Sequence, residues 1–177
     1  MKRSLLALPL VAVAFFSGCT TVPETGRSQL MLVSPSQEAQ MGLSAFDQIK
    51  KEEKVSNDPA ANAQVQRVGQ RIAKSVGRDI ENAQWEFVVF DSDQINAFAL
   101  PGGKVGVYTG LLKLVNSDDE LACVMGHEIA HVSSRHGAER TSQNLAVGAV
   151  GTIAAIGMEA KDVDPAKRNA VLALYGV

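Results

Sequence analysis

The sequence is poor in cysteine and in aromatic residues. Two cysteines and 5% aromatic residues among 177 residues exclude a small disulfide-stabilised scaffold. The formal net charge is −2 and no long basic run is present, so no nucleic-acid partner is expected. No internal repeat or low-complexity tract interrupts the chain, and its length suffices for one domain with a hydrophobic core.

The N-terminus lacks an apolar run long enough to cross a bilayer. Leu5 to Phe16 is apolar but contains Pro9, whereas a membrane-spanning helix needs about 20 such residues. With its basic start, this run predicts a secretory signal peptide over residues 1–18. Its end, Phe-Ser-Gly-Cys19, resembles the bacterial lipoprotein box, in which lipid is attached to the cysteine. The alternative is an ordinary signal peptide followed by an unrelated cysteine.

The resemblance to lipoproteins implies attachment to the bacterial cell envelope through Cys19. Residues 19–33 are then expected to form a lipid-anchored tether and a short strand. The residue after the cysteine influences sorting in such proteins, and Thr20 is not the Asp that resembles an inner-membrane retention signal. The periplasmic face of the outer membrane is therefore preferred over the inner membrane.

Local patterns predict an α+β, mainly helical domain with a small β-sheet. Capping signals start helices at Ser34, with Pro and Gln following, and at Asp58. Ser117-Asp-Asp-Glu120 predicts a third capping box, in which Glu120 reaches back to Ser117. The other predicted elements are strands over 29–33, 84–90, 96–100 and 104–108, a turn at 101–103, a short helix over 110–115, helix ends at Gly77 and Gly137, a buried or membrane-facing helix over 143–157, and a last helix from Asp164.

The strongest chemical signal is the pattern His127-Glu128-x-x-His131. Four residues advance a helix by about 400°, so the two imidazoles lie about 40° apart on one face and can bind one zinc ion. Glu128 can reach a water at the open position of the metal, whose pKa zinc lowers towards about 7. This pattern predicts zinc ligands at His127 and His131 and a general base at Glu128. The alternative is a chance match on a structural helix.

A catalytic zinc needs a third protein ligand, and the sequence contains no obvious one. His136 lies about 140° around the helix from His131, so a continuous helix points it away from the metal. Glu139 is close in sequence but follows the predicted helix end at Gly137, and Glu159 is a more distant candidate. Both glutamates remain open as third ligands.

Three blocks of the sequence indicate membership of a known protein family. They are Thr25-Gly-Arg-Ser-Gln-Leu30, then Asn96-Ala-Phe-Ala-Leu-Pro-Gly-Gly103 with Val107-Tyr-Thr-Gly-Leu-Leu112, and Gly126-His-Glu-Ile-Ala-His131 with Arg135-His136. Together they resemble the zinc metallopeptidases that include HtpX, the CAAX-prenyl proteases and the Oma-type mitochondrial proteases. The resemblance is closest to bacterial lipoprotein members and extends over most of residues 20–140.

The resemblance implies a zincin-like metallopeptidase domain over residues 34–177, with the sheet beside the His-Glu-x-x-His helix and one Zn²⁺ per chain. It implies that a strand with Asn96, Ala97 and Phe98 pairs with an extended protein or peptide substrate. The third ligand of the family is a Glu on a later helix in a motif that this sequence does not show. The chain is therefore expected to be C-terminally truncated.

The predicted function is zinc-dependent hydrolysis of peptide bonds in envelope proteins, in the service of quality control. The alternative is a catalytically incomplete lipoprotein that binds envelope proteins as a chaperone does, since the third zinc ligand is absent. Both functions use protein partners and a lipid anchor in the membrane.

Overall fold

The computed structural model describes residues 19–22, 26–76, 80, 83–160, 164, 165 and 169. They belong to two compact units. The sheet unit is Val33–Gly137, and the terminal unit combines the described residues up to Leu32 with those from Ala138 onward. The predicted signal peptide over residues 1–18, the helix end at Gly77 and most of the helix predicted from Asp164 lie outside the described residues.

In the described part of the chain, two short strands are followed by two helices, three strands and three further helices. The elements in order are β1 (Cys19–Thr21), β2 (Ser28–Leu30), α1 (Pro35–Glu52), α2 (Pro59–Val76), β3 (Glu86–Phe90), β4 (Ala97–Leu100), β5 (Lys104–Tyr108), α3 (Thr109–Leu112), α4 (Asp118–Ser133) and α5 (His136–Ala160). This composition confirms the predicted mainly helical α+β class.

Helices α1 and α2 begin at the predicted caps. The Gln37 backbone N–H donates to Ser34 Oγ at 3.3 Å, and the Ser34 backbone N–H donates to Gln37 Oε1 at 3.0 Å. Asp58 Oδ1 accepts from the Ala60 backbone N–H at 2.9 Å. These starts could be predicted because a cap satisfies backbone donors that the first helical turn leaves unpaired, which is a local requirement.

The sheet unit contains a three-stranded sheet with the spatial order β3-β5-β4. Strand β5 pairs parallel with β3 and antiparallel with β4, and all five residues of β5 are buried. Between β4 and β5, Gly102 and Gly103 both have φ of 82°, a left-handed conformation that favours glycine. The three predicted strands and the predicted turn are therefore present.

Two hydrophobic clusters hold helices against this sheet. The larger joins α2, the sheet and α4, and its buried members are Val65, Val68, Phe87, Val89, Ala97, Val105, Val107, Leu111, Leu121, Met125 and Ile129. The smaller is aromatic: Phe46 of α1 packs with Phe90, Tyr108 and Phe98. Helix α4 is thus fixed to the sheet by one side of its surface.

In the terminal unit, β1 and β2 form an antiparallel pair with Cys19 opposite Leu30. The Arg27 guanidinium donates to both carboxylate oxygens of Glu139 in α5, at 2.7 and 2.5 Å. The Leu32 backbone N–H donates to Ser142 Oγ at 2.8 Å. The segment predicted as a tether with one short strand therefore forms a hairpin, with polar contacts to α5.

The end of the motif helix differs from the prediction. Helix α4 ends at Ser133, and α5 continues through Gly137, where a helix end was expected. One glycine within a helix costs only about 1 kcal/mol, so it need not end one. The part of α5 predicted to be buried or membrane-facing has exposed apolar side chains, among them Leu145 and Ile156. No helix of the described residues is both long enough and apolar enough to cross a membrane.

Candidate metal centre

The start of α4 is held by two overlapping caps. The Glu120 backbone N–H donates to Ser117 Oγ at 3.2 Å, as predicted. The Glu120 carboxylate reaches one residue further back than predicted and accepts from the Asn116 backbone N–H at 2.7 Å. Both contacts fix the first turn of the helix that carries the metal-binding pattern.

The buried face of α4 determines which side chains face outward. Leu121, Met125 and Ile129 recur every four residues and are at most 1% exposed. His127 and His131 lie about 200° around the helix from Ile129, and both are exposed. The apolar periodicity therefore turns both imidazoles away from the core, where a metal and a substrate have access.

The two imidazoles converge on one point. His127 Nε2 and His131 Nε2 are 3.1 Å apart, and the ring planes are inclined by 82°. Two nitrogens bound tetrahedrally to zinc at 2.0–2.1 Å are separated by about 3.3 Å. The chemistry and the spacing of this donor pair therefore fit a zinc ion.

Glu128 lies beside the first histidine on α4 and is half-buried. Among the described residues, its carboxylate has no hydrogen-bond or ion-pair partner. A carboxylate that is not engaged by a neighbouring side chain can contact a water molecule beside the two histidines. This property suits the role of general base that the sequence predicts.

His136 lies on the opposite side of His131 from His127. Its Nδ1 is 2.8 Å from His131 Nδ1. The prediction that His136 points away from the metal assumed a continuous helix, and that assumption is wrong. Arg135 has φ of 54°, which ends α4 and redirects the chain before α5 begins.

The conformation of Arg135 is held by its own side chain. Arg135 Nε donates to Glu38 Oε2 at 2.8 Å, and its Nη2 donates to the Val33 carbonyl oxygen at 3.0 Å. Glu38 is 8% exposed, so this contact anchors the turn to a nearly buried charge on α1. The turn between α4 and α5 is thereby tied to the start of α1.

Strand β4 contains the residues predicted to meet a substrate. It contacts α4, and within the described sheet it lies at an edge. The Asn96 carbonyl oxygen accepts from the Tyr108 N–H at 3.1 Å, so alternation of the antiparallel ladder directs the backbone groups of Ala97 and Ala99 to the open edge. The Phe98 side chain packs in the aromatic cluster, and its backbone groups face β5, so Phe98 offers no hydrogen-bonding group to a substrate at the open edge.

The model of peptidase family M48 matches residues 59–175, which is more than half of the chain. The chain belongs to peptidase family M48. The matched region contains β4, the caps of α4 and the three residues of the metal-binding pattern. The family predicted from the three sequence blocks is therefore confirmed.

Several relatives of this M48 chain have curated names. The beta-barrel assembly-enhancing protease of Escherichia coli (strain K12) is 33% identical over 149 residues, covering 81% of this chain and 30% of that protein. The mitochondrial metalloendopeptidase OMA1 of Schizosaccharomyces pombe is 33% identical over 150 residues, covering 83% of this chain and 44% of that protein. OMA1 of Arabidopsis thaliana is 47% identical over 66 residues, covering 37% of this chain and 14% of that protein. This chain thus spans less than half of each relative.

The described part of the M48 chain brings two candidate metal ligands together, His127 and His131. No group of three or more His, Cys, Asp or Glu side chains able to hold a metal is present among its residues. The two candidate third ligands both belong to the terminal unit, where Glu139 accepts two hydrogen bonds from Arg27 and Glu159 is exposed.

Sequence reasoning missed the contacts of Arg135, Glu38 and His136. Arg135 and His136 belong to the block that resembles the family, but their spacing indicates no physical role. The left-handed turn had no local signal, because Gly or Asn normally occupies such a position. Glu38 lies 97 residues from Arg135, so the pair forms only in the folded chain.

Proposed function

We propose that this chain carries the zinc-binding helix of a metalloendopeptidase, with one Zn²⁺ held by His127 and His131. The observation that carries the proposal is the convergence of the two Nε2 atoms at 3.1 Å on an exposed helix face, beside the half-buried Glu128. Membership of the M48 family and the names of the relatives support a protease. We assign the metallopeptidase domain to residues 34–177.

The mechanism follows from what each side chain can do. The imidazoles of His127 and His131 bind through Nε2, each in the tautomer that leaves this atom unprotonated. Zinc, when bound, supplies a Lewis acid that polarises the scissile carbonyl and makes water more acidic. Glu128 accepts the proton of the attacking water and then donates it to the leaving amine.

We propose that the substrate is an extended protein segment that pairs with the open edge of β4. The outward backbone groups of Ala97 and Ala99 offer two donors and two acceptors in a row, which is the arrangement of β-strand addition. The Asn96 side chain is exposed beside them. Backbone pairing does not select particular side chains, which suits a protease acting on diverse unfolded envelope proteins.

We propose that lipid on Cys19 attaches the protein to the bacterial envelope, with the outer membrane preferred. The support is the apolar run that ends at Phe16, followed by Ser-Gly-Cys. Cys19→Ser should release the protein from the membrane fraction and abolish labelling with a fatty-acid analogue. A Cys19→Ser protein that stays on the membrane, or a wild type that takes no label, contradicts the anchor.

Zinc content and cleavage of an unfolded, fluorescently labelled protein test the enzymatic proposal. Glu128→Gln should retain zinc and lose about 10²- to 10⁴-fold in kcat/KM, because it removes only the proton acceptor. His127→Ala should lose both zinc and cleavage. Asp119→Asn, an exposed acid-to-amide change on the same helix, is the matched control and should retain both.

Two results would count against the enzyme. If Glu128→Gln cleaves as fast as wild type, Glu128 is not the base. If wild type binds the labelled protein but never cleaves it, and Glu128→Gln binds equally well, the chain is a chaperone-like lipoprotein.

The substrate strand has its own test. Ala99→Pro removes the outward N–H of β4, and proline is tolerated where that N–H does not serve the ladder. We expect folding to be preserved, as judged by circular dichroism, with KM raised and zinc retained. An unchanged KM in a folded Ala99→Pro variant would place the substrate elsewhere.

A further inference from the structure

We propose that His136 is a positioning residue that accepts a hydrogen bond from His131 and thereby keeps His131 in its zinc-binding tautomer. This inference rests on the proposed zinc site. It starts from the contact between the two Nδ1 atoms, which are 2.8 Å apart with the rings inclined by 50°. His136 itself has no place among the zinc ligands.

The proton on His131 determines whether this side chain can bind a metal. A neutral imidazole carries one N–H, and a ligand nitrogen must be free of it. His131 Nε2 faces His127, so a binding-competent His131 carries its proton on Nδ1. That N–H points at His136 Nδ1, which must then be the acceptor and leave the His136 proton on Nε2.

The opposite arrangement would disable the site. If His136 Nδ1 carried the proton, it would donate to His131 Nδ1 and force the His131 proton onto Nε2. The two tautomers are therefore coupled through one short contact. In proteins, metal-binding histidines almost always donate their second N–H to such a partner, and loss of the partner typically weakens metal binding 10- to 100-fold.

The fold places His136 at this position by means of the turn at Arg135. Without that turn, the fifth residue after His131 would lie about 140° around the helix, out of reach of its ring. The turn uses a left-handed conformation at a residue with a Cβ, and the contacts of Arg135 with Glu38 and Val33 hold it there. A disfavoured backbone conformation held by side-chain contacts is evidence that the position of His136 is specifically supported.

The test compares His136→Phe, which keeps a flat ring but removes the acceptor, with His136→Asn, whose Oδ1 can accept from His131. The first readout is zinc affinity of the full chain by competition with a chromophoric chelator. We expect His136→Phe to weaken zinc binding about tenfold or more and His136→Asn to restore most of the loss. Thermal unfolding of both metal-free variants shows whether they remain folded.

The second readout does not require zinc. Two-dimensional ¹H–¹⁵N correlations of the imidazole rings, recorded on the metal-free chain at about pH 8, report which nitrogen of each neutral histidine is protonated. We expect the Nδ1–H tautomer of His131 in wild type and in His136→Asn, and a shift towards Nε2–H in His136→Phe. An Nε2–H tautomer in wild type, or no change in His136→Phe, overturns the positioning role.

The two readouts separate this inference from the proposed function. If the wild type binds no zinc but the tautomer of His131 changes as expected in His136→Phe, the positioning contact is supported and the zinc enzyme is rejected. If the wild type and His136→Phe bind zinc equally tightly, the zinc site is supported and the positioning role of His136 is rejected.

Discussion

At the scale of single residues, the local geometry depends most on Arg135. Its φ of 54° lies in the region that L-residues disfavour, and its guanidinium satisfies the nearly buried Glu38 carboxylate. The first feature costs about 1–2 kcal/mol, and the second offsets it. Substitutions at Arg135 can separate the unfavourable backbone contribution to stability from the favourable side-chain contribution.

Comparing Arg135→Ala with Arg135→Gly separates these two contributions. Both variants lose the contacts with Glu38 and Val33, so the free energy of unfolding should fall by about 2–3 kcal/mol for Ala. Gly should be about 1 kcal/mol more stable than Ala, because it has no Cβ at the left-handed position. Urea denaturation measures both values. An Ala variant as stable as the Gly variant would contradict the backbone strain.

A second residue-scale prediction concerns Glu86 and pH. Lys50, which donates a hydrogen bond to its carboxylate at 2.8 Å, holds the pKa of Glu86 below its usual value; partial burial opposes this effect and Lys104 adds to it. The depressed pKa means that this stabilisation is present above the pKa of the unfolded chain and is lost as pH falls through the folded-state pKa.

Glu86→Gln should therefore be less stable than wild type at neutral pH, by about 1 kcal/mol or less because the site is partly exposed. The difference should vanish in acid, where Glu86 is protonated in both states. Thermal unfolding as a function of pH measures it. In a Lys50→Met background the pH-dependent difference should shrink, and an undiminished difference would assign the effect to another cation.

At the scale of elements, close packing of helix against strand depends on small residues. A Cβ at Gly42 in α1 would lie 2.2 Å from the Pro101 carbonyl oxygen, at the end of β4. A Cβ at Gly126 in α4 would meet nothing within 4 Å outside its own helix. Gly42 is therefore required by a close contact, whereas no contact requires a glycine at Gly126.

The matched substitutions Gly42→Ala and Gly126→Ala should move stability in opposite directions. Gly42→Ala should lower the free energy of unfolding by about 1–3 kcal/mol, because backbone atoms cannot yield as side chains can. Gly126→Ala should raise it by about 0.5–1 kcal/mol through helix propensity. Chemical denaturation of both variants and of the wild type measures these changes in the free energy of unfolding. A Gly42→Ala variant more stable than wild type would refute the close approach of α1 to the turn.

At the scale of the whole molecule, zinc binding should be linked to folding. A ligand that binds only the folded chain stabilises it by about 2.7 kcal/mol when present at 100 times its Kd. Zinc should therefore raise Tm in wild type, and a chelator should reverse the rise. His127→Ala should show no zinc-dependent shift, whereas Glu128→Gln should shift as wild type does. A zinc-induced rise of equal size in His127→Ala would place the metal elsewhere.

How far the fold could be predicted depended on the range of the interactions involved. Ser34, Asp58 and Ser117 bond to backbone groups two or three residues away, so their helices could be predicted from the order of residue types. The break at Ser133 could not be predicted, because Arg135 is held in its unusual conformation by Glu38 of another helix. The prediction of a helix end at Gly137 failed for the same reason, because α4 already ends four residues earlier, at Ser133.

The sequence by itself determined that His127 and His131 lie side by side, because a spacing of four residues on a helix brings two imidazoles to one face wherever that helix lies. It also indicated the family, which the match of the M48 model over residues 59–175 confirms. The tertiary structure alone decided that Phe98 belongs to an aromatic cluster with Phe46 and that His136 meets His131. These outcomes depend on contacts between segments far apart in sequence or on a turn that such contacts stabilise, and no local pattern encodes them.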